Sequence, residues 1–99
     1  MVFVTAQPES LAAAASRLQA VGSALAAENA ATATAMTGVV PAAADEVSLV
    51  TAAKFATHGQ TFQALSAQAA AMHERFVATL RTSAASYAVT EVANAAATR

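Results

Sequence analysis

The chain has 99 residues, enough for one domain, with 57% hydrophobic residues and a formal net charge of −1. Charged residues make up only 11% of it, against about 25% in an ordinary soluble domain. The basic residues Arg17, Lys54, Arg75, Arg81 and Arg99 are too scattered to form a patch, which excludes a nucleic-acid surface; the absence of cysteine excludes a disulfide framework and thiolate chemistry.

Alanine accounts for roughly a third of the residues. It has the highest helix propensity and buries little area per residue, so the composition predicts ready helices and a thin core. With so few charges to solvate their faces, such helices call for a large surface supplied by a partner.

Residues 1–7 read as a short extended lead. Met1-Val2-Phe3-Val4-Thr5 has no basic n-region, and no long apolar run follows it, so no secretory signal peptide is read there. Pro8-Glu9 marks a helix start: proline suits the first helical position, and Glu9 favours the uncapped N–H groups of the first turn. Helix 1 is predicted from about Pro8 to about Thr37. Leu11, Leu18, Leu25 and Thr32 stand seven apart, with Ala14, Val21 and Glu28 between them, which is a heptad seam that weakens after Leu25. Gly22 offers room for another helix to approach.

Gly38-Val39-Val40-Pro41 stops this helix, and a turn over about 38–44 leads to Asp45, a suitable N-cap. Helix 2 is predicted from about Asp45 to about Tyr87. Phe55, His58, Phe62, Leu65, Ala69, Met72, Phe76, Leu80, Ser83 and Tyr87 recur by threes and fours as its apolar stripe. So short a link predicts an antiparallel two-helix hairpin, with Phe62, Leu65, Met72 and Phe76 facing Leu11, Leu18, Val21 and Leu25. Helix 2 is the longer, and its surplus is expected at its C-terminal end, near Arg81 to Glu91. Residues 92–99 carry no stripe of their own. The uncharged stretch from Phe55 to His73 is long enough for a membrane span, but its Thr, Gln and Ser residues are too numerous for a lone helix in lipid.

No catalytic or metal constellation emerges. His58 and His73 are fifteen residues apart, about 22 Å along one helix. The side chains of His73 and Glu74 diverge, the carboxylates are dispersed, and no serine sits in a nucleophile elbow. A hairpin also offers no deep pocket. An enzyme is therefore the least favoured class, and no cofactor is expected.

Several features coincide in one resemblance. Met1-Val2-Phe3-Val4 precedes Pro8-Glu9, the stretch from Pro41 to Ser48 reads Pro-Ala-Ala-Ala-Asp-Glu-Val-Ser, and Tyr87-Ala-Val-Thr-Glu91 stands late in the chain. Over essentially its whole length the chain resembles the PE domain of the mycobacterial PE family, named for the Pro-Glu pair. The resemblance implies an all-α hairpin that completes a four-helix bundle with a PPE-family protein. It implies a non-enzymatic subunit, made in the cytoplasm and then secreted or displayed at the cell surface by a type VII (ESX) secretion system. Tyr87 and Glu91 match the Tyr-x-x-x-Asp/Glu export signal, on a tail of about residues 87–99, and a secretion chaperone would grip the PPE partner rather than this chain. Many members carry a long C-terminal extension, so a chain ending at Arg99 is expected to be either a member without one or a trimmed one. A second hairpin family carries Trp-x-Gly at its turn, which this tryptophan-free chain does not match.

The interface residues expected on these grounds are Leu11, Leu18, Val21, Leu25, Phe55, Phe62, Leu65, Met72, Phe76 and Leu80. The same stripes fit two other classes: a self-associating homodimeric hairpin and a membrane-active amphipathic protein. The second is disfavoured by the lack of a Lys/Arg-rich polar face.

Overall fold

The computed structural model describes residues 5–98. The Met1–Val4 start and Arg99 lie outside them. The structure is all-helical, with α1 at Pro8–Thr37 (30 residues), α2 at Glu46–Ala97 (52 residues) and no strand among the described residues, consistent with a helical hairpin.

The ends of each helix follow from local chemistry. At the start of α1 the Gln7 carbonyl accepts hydrogen bonds from Ser10 N (3.0 Å) and Leu11 N (3.2 Å), while Pro8 brings no N–H to satisfy. At its end Gly38 N donates to Thr34 O at 2.8 Å. Gly38 does not take a positive φ, so α1 stops without a left-handed cap. Asp45 caps α2: one carboxylate oxygen accepts from Ser48 N at 2.8 Å and the other from Ser48 Oγ at 3.0 Å. Because both bonds favour the ionised form, the Asp45 pKa lies below the ordinary carboxylate value.

α2 continues ten residues past Tyr87, where the large-residue stripe ends. Ala88, Ala93, Ala95, Ala96 and Ala97 lie in this extension, and their helix propensity sustains the turn without a stripe.

The chain divides into two compact units. One joins the residues up to Gly22 with those from His73 onward. There Ala6 bonds to Glu91 and Leu18 to His73, so the early part of α1 meets the late part of α2 in antiparallel sense. Ala15, Val77 and Ala84 are its buried residues. The other unit is Ser23–Met72. Gln63 Nε2 reaches Asn29 O (3.3 Å) and Met36 Sδ (3.4 Å), and Ala52 and Gly59 are buried.

Candidate interaction surfaces

The most buried residues between the helices are small, and the phenylalanines are not among them. On α1 the inward positions are Pro8, Ala15, Gly22, Asn29 and Met36, seven apart, joined by Leu11 and Leu18. On α2, Ala52, Gly59, Ser66, His73 and Leu80 repeat by seven, and Gln63, Val77, Ala84 and Glu91 repeat beside them. Two contacts show how close the helices come. In the unit containing His73, the imidazole Nε2 lies 2.6 Å from the Leu18 carbonyl oxygen. Gly22 leaves the room for this ring, because a β-carbon there would stand 2.7 Å from His73 Cδ2. In the Ser23–Met72 unit, Gly59 lies against the backbone of Met36.

The large apolar side chains consequently face outward. Phe55, Phe62, Leu65 and Met72 are 61, 44, 58 and 66% exposed in the Ser23–Met72 unit, and Phe76 is 57% exposed in the other. Val21 and Leu25 are each 59% exposed. Only Leu11, Leu18 and Leu80 of the expected interface residues are half-buried between the helices. The facing of Phe62, Leu65, Met72 and Phe76 onto helix 1 is thus corrected: all four side chains are exposed, and the inward positions of α2 are held by other residues.

The surplus of helix 2 is divided between its two ends. Gly59 meets Met36 near the end of α1, so the residues of α2 ahead of it run past that end, and Glu91 meets Ala6 ahead of Pro8, so the residues of α2 after Glu91 run past the start of α1. At the start of α2 the connecting segment contributes Val39, Val40 and Pro41 to a cleft lined also by Val47, Thr51, Ala52 and Phe55. Near Arg81 to Glu91 there is no free overhang: Arg81 donates to the Gln19 side chain of α1, and Glu91 accepts from Ala6 N at 3.2 Å. Tyr87 is 50% exposed and Glu91 half-buried, one helical turn apart on α2. Pro8 is half-buried and Glu9 exposed at the start of α1.

Three features escape a reading of bulky residues alone. A groove of about 420 Å³ is lined by Met36, Val39, Phe55, His58, Gly59 and Phe62. Val47, Leu49 and Val50 are exposed in the first turns of α2, and Val89 and Val92 near its end. The Ala6–Glu91 bond has no sequence signal, since it joins residues 85 positions apart. The mid-helix glycine at 59 did carry a signal, a residue of poor helix propensity placed where a neighbour comes close. Among the described residues no group of three His, Cys, Asp or Glu could hold a metal ion, and no helix is long and apolar enough to cross a membrane.

Comparison with known proteins places these surfaces in a family. The chain is 63% identical over 97 residues to the PE family protein PE13 of Mycobacterium tuberculosis, covering 98% of each. It is 53% identical to the PE-PGRS family protein PE_PGRS8 and 50% identical to the PE family protein PE8 of the same organism, covering 97% and 98% of this chain. It spans 55% of the length of PE_PGRS8 and 35% of that of PE8. The PE family model matches residues 4–94, and the chain belongs to the PE family.

Proposed function

We propose that this chain is the non-enzymatic half of an obligate heterodimer with a PPE-family protein, in which two helical hairpins form a four-helix bundle. The pair is exported by a type VII secretion system, from the cytoplasm to the cell surface or the medium, with Tyr87 and Glu91 as the recognition element. A secretion chaperone contacts the PPE partner rather than this chain.

The observation that carries this reading is the outward placement of Phe55, Phe62, Leu65, Met72 and Phe76, each at least 44% exposed. Large apolar side chains repeated along a helix face in this way mark a protein–protein surface. A second hairpin seated on this face would bury more than roughly 2,000 Å² in total, the range of obligate interfaces.

Co-expression with the neighbouring PPE-type reading frame of the source genome tests the proposal. The pair should be soluble and elute as one heterodimer, while the chain alone aggregates or unfolds. A cooperative thermal transition from a dilute, verified monomer would overturn it. A stable dimer of the chain by itself would instead identify self-association.

A further inference from the structure

We infer that Glu91 is a positioning residue, whose carboxylate pins the segment ahead of α1 across α2, one helical turn from Tyr87. A receptor of this region then meets the Tyr87 ring and the lead backbone as one surface, and does not read the Glu91 charge by itself. The inference rests on the proposal that Tyr87 and Glu91 form a recognition element, and it assigns them different tasks.

The geometry separates the two side chains. Tyr87 is half exposed. Glu91 is partly buried, with Oε1 committed to the Ala6 amide at 3.2 Å. That amide has no helical carbonyl to bond, because it lies two residues before α1 begins. The Gln7 carbonyl accepts from Ser10 N and Leu11 N, and Pro8 has no N–H. Glu91 therefore supplies an acceptor the lead cannot find locally, and the partial positive charge at the start of α1 favours a carboxylate beside it. Thr5 and Gln7 flank the pinned residue and are exposed, so holding Ala6 fixes where their side chains are displayed.

This assignment needs an acceptor oxygen at position 91 but not a negative charge. Glu91→Gln retains an oxygen in the same place, whereas Glu91→Ala removes it. Ala6→Pro removes the donor and leaves Glu91 intact and charged. The three variants are compared in cells carrying the PPE partner, with co-purification of the pair as the folding control and protein in the culture medium as the readout. Glu91→Ala and Ala6→Pro should both lose export, by about tenfold or more, while Glu91→Gln stays near the parent chain. In the purified pair, Glu91→Ala should also speed hydrogen exchange at the Ala6 amide by about tenfold or more.

Loss of export in Glu91→Gln, or normal export in Ala6→Pro, overturns the positioning role and leaves Glu91 as a directly read charge. Unchanged Ala6 exchange in Glu91→Ala overturns it too, even where Ala6→Pro fails to assemble. Normal export of Glu91→Ala removes the recognition element itself, and the inference with it.

Discussion

A β-carbon on Gly59 would stand 2.7 Å from the carbonyl carbon of Met36, nearer than real side chains come to backbone. Replacing glycine by alanine in a helix interior ordinarily stabilises by about 0.5–1 kcal/mol. At position 59 the sign should reverse, because the clash is with main chain that cannot rotate away. Gly59→Ala should destabilise by about 1–3 kcal/mol, the usual range for overpacking. Denaturant unfolding of the purified heterodimer checks this; unchanged or higher stability would mean that the helices do not approach there.

Gly22 and His73 make a second pair with a different outcome. Here the atoms in the way belong to a side chain, His73 Cδ2 and Nε2, which can swing out at the loss of its bond to Leu18 O. Gly22→Ala alone should therefore be neutral or mildly destabilising. In a His73→Ala background the same change should stabilise, by about 1 kcal/mol from helix propensity. The double-mutant cycle measures this coupling, and additivity of the two changes would show that the ring does not occupy the space above Gly22.

Phe76 and Val77 are adjacent in sequence but face opposite surroundings, 57% and 4% exposed. Val77→Ala removes two buried methyl groups and should lower the unfolding free energy by roughly 2 kcal/mol. Phe76→Ala should act on association instead, weakening the heterodimer by about 2 kcal/mol or more as loss of an interface anchor. Arg81→Ala, which removes one exposed bond to Gln19, should matter less. Titration of the pair by dilution separates these effects, and equal recovery of Phe76→Ala and Arg81→Ala would remove Phe76 from the interface.

The two long helices were legible because their signals are local: Pro8 at a start, Gly38 through Pro41 at a stop, Asp45 before Ser48. The facing of the helices was not legible. Hydrophobic periodicity marks the side that loses most from exposure to water, and on α2 that side is Phe55, Phe62, Leu65, Met72 and Phe76. Which side packs inside a hairpin depends on how near the backbones come, and that is set by Gly22, Gly59 and the alanines. An alanine seam is invisible where roughly a third of all residues are alanine. The tie between Ala6 and Glu91 was hidden for another reason: one partner is a backbone amide, which every residue but proline possesses.

Asp45 gives a pH dependence whose sign is fixed. Its carboxylate is held ionised by Ser48 N and Ser48 Oγ, so its folded pKa lies below the unfolded value. The contribution to the start of α2 is fully present above the unfolded pKa of about 3.9 and is lost as pH falls through the lower, folded value. The Ser48 amide resonance should titrate in that acid range, and Asp45→Asn, which keeps a capping oxygen, should abolish the titration while preserving the cap. A Ser48 shift that ignores pH below about 4 would contradict the capping bond.

Tyr87 presents half its surface and should be separable from assembly. Tyr87→Ala should stop export while leaving co-purification with the PPE partner nearly unchanged. At position 91, aspartate should be tolerated better than alanine, since it keeps an acceptor oxygen one methylene short. Loss of the complex in Tyr87→Ala would make the ring a packing residue, and normal export would remove its signalling role.

The division of labour between small and large side chains has an evolutionary consequence. Within each unit the helices meet through a glycine contact and short side chains, and at Gly59, set against backbone, there is little scope for change. The bulky positions outside touch water or a partner and contribute little to holding the two helices together. Substitutions at Phe55, Leu65, Met72 or Phe76 therefore act on the partner contact rather than on the seam, so that duplicated copies of such a gene can diverge in binding preference while their inner surfaces stay interchangeable. Transplanting the outward side chains of a relative onto this backbone should transfer its choice of partner and leave the seam as it is.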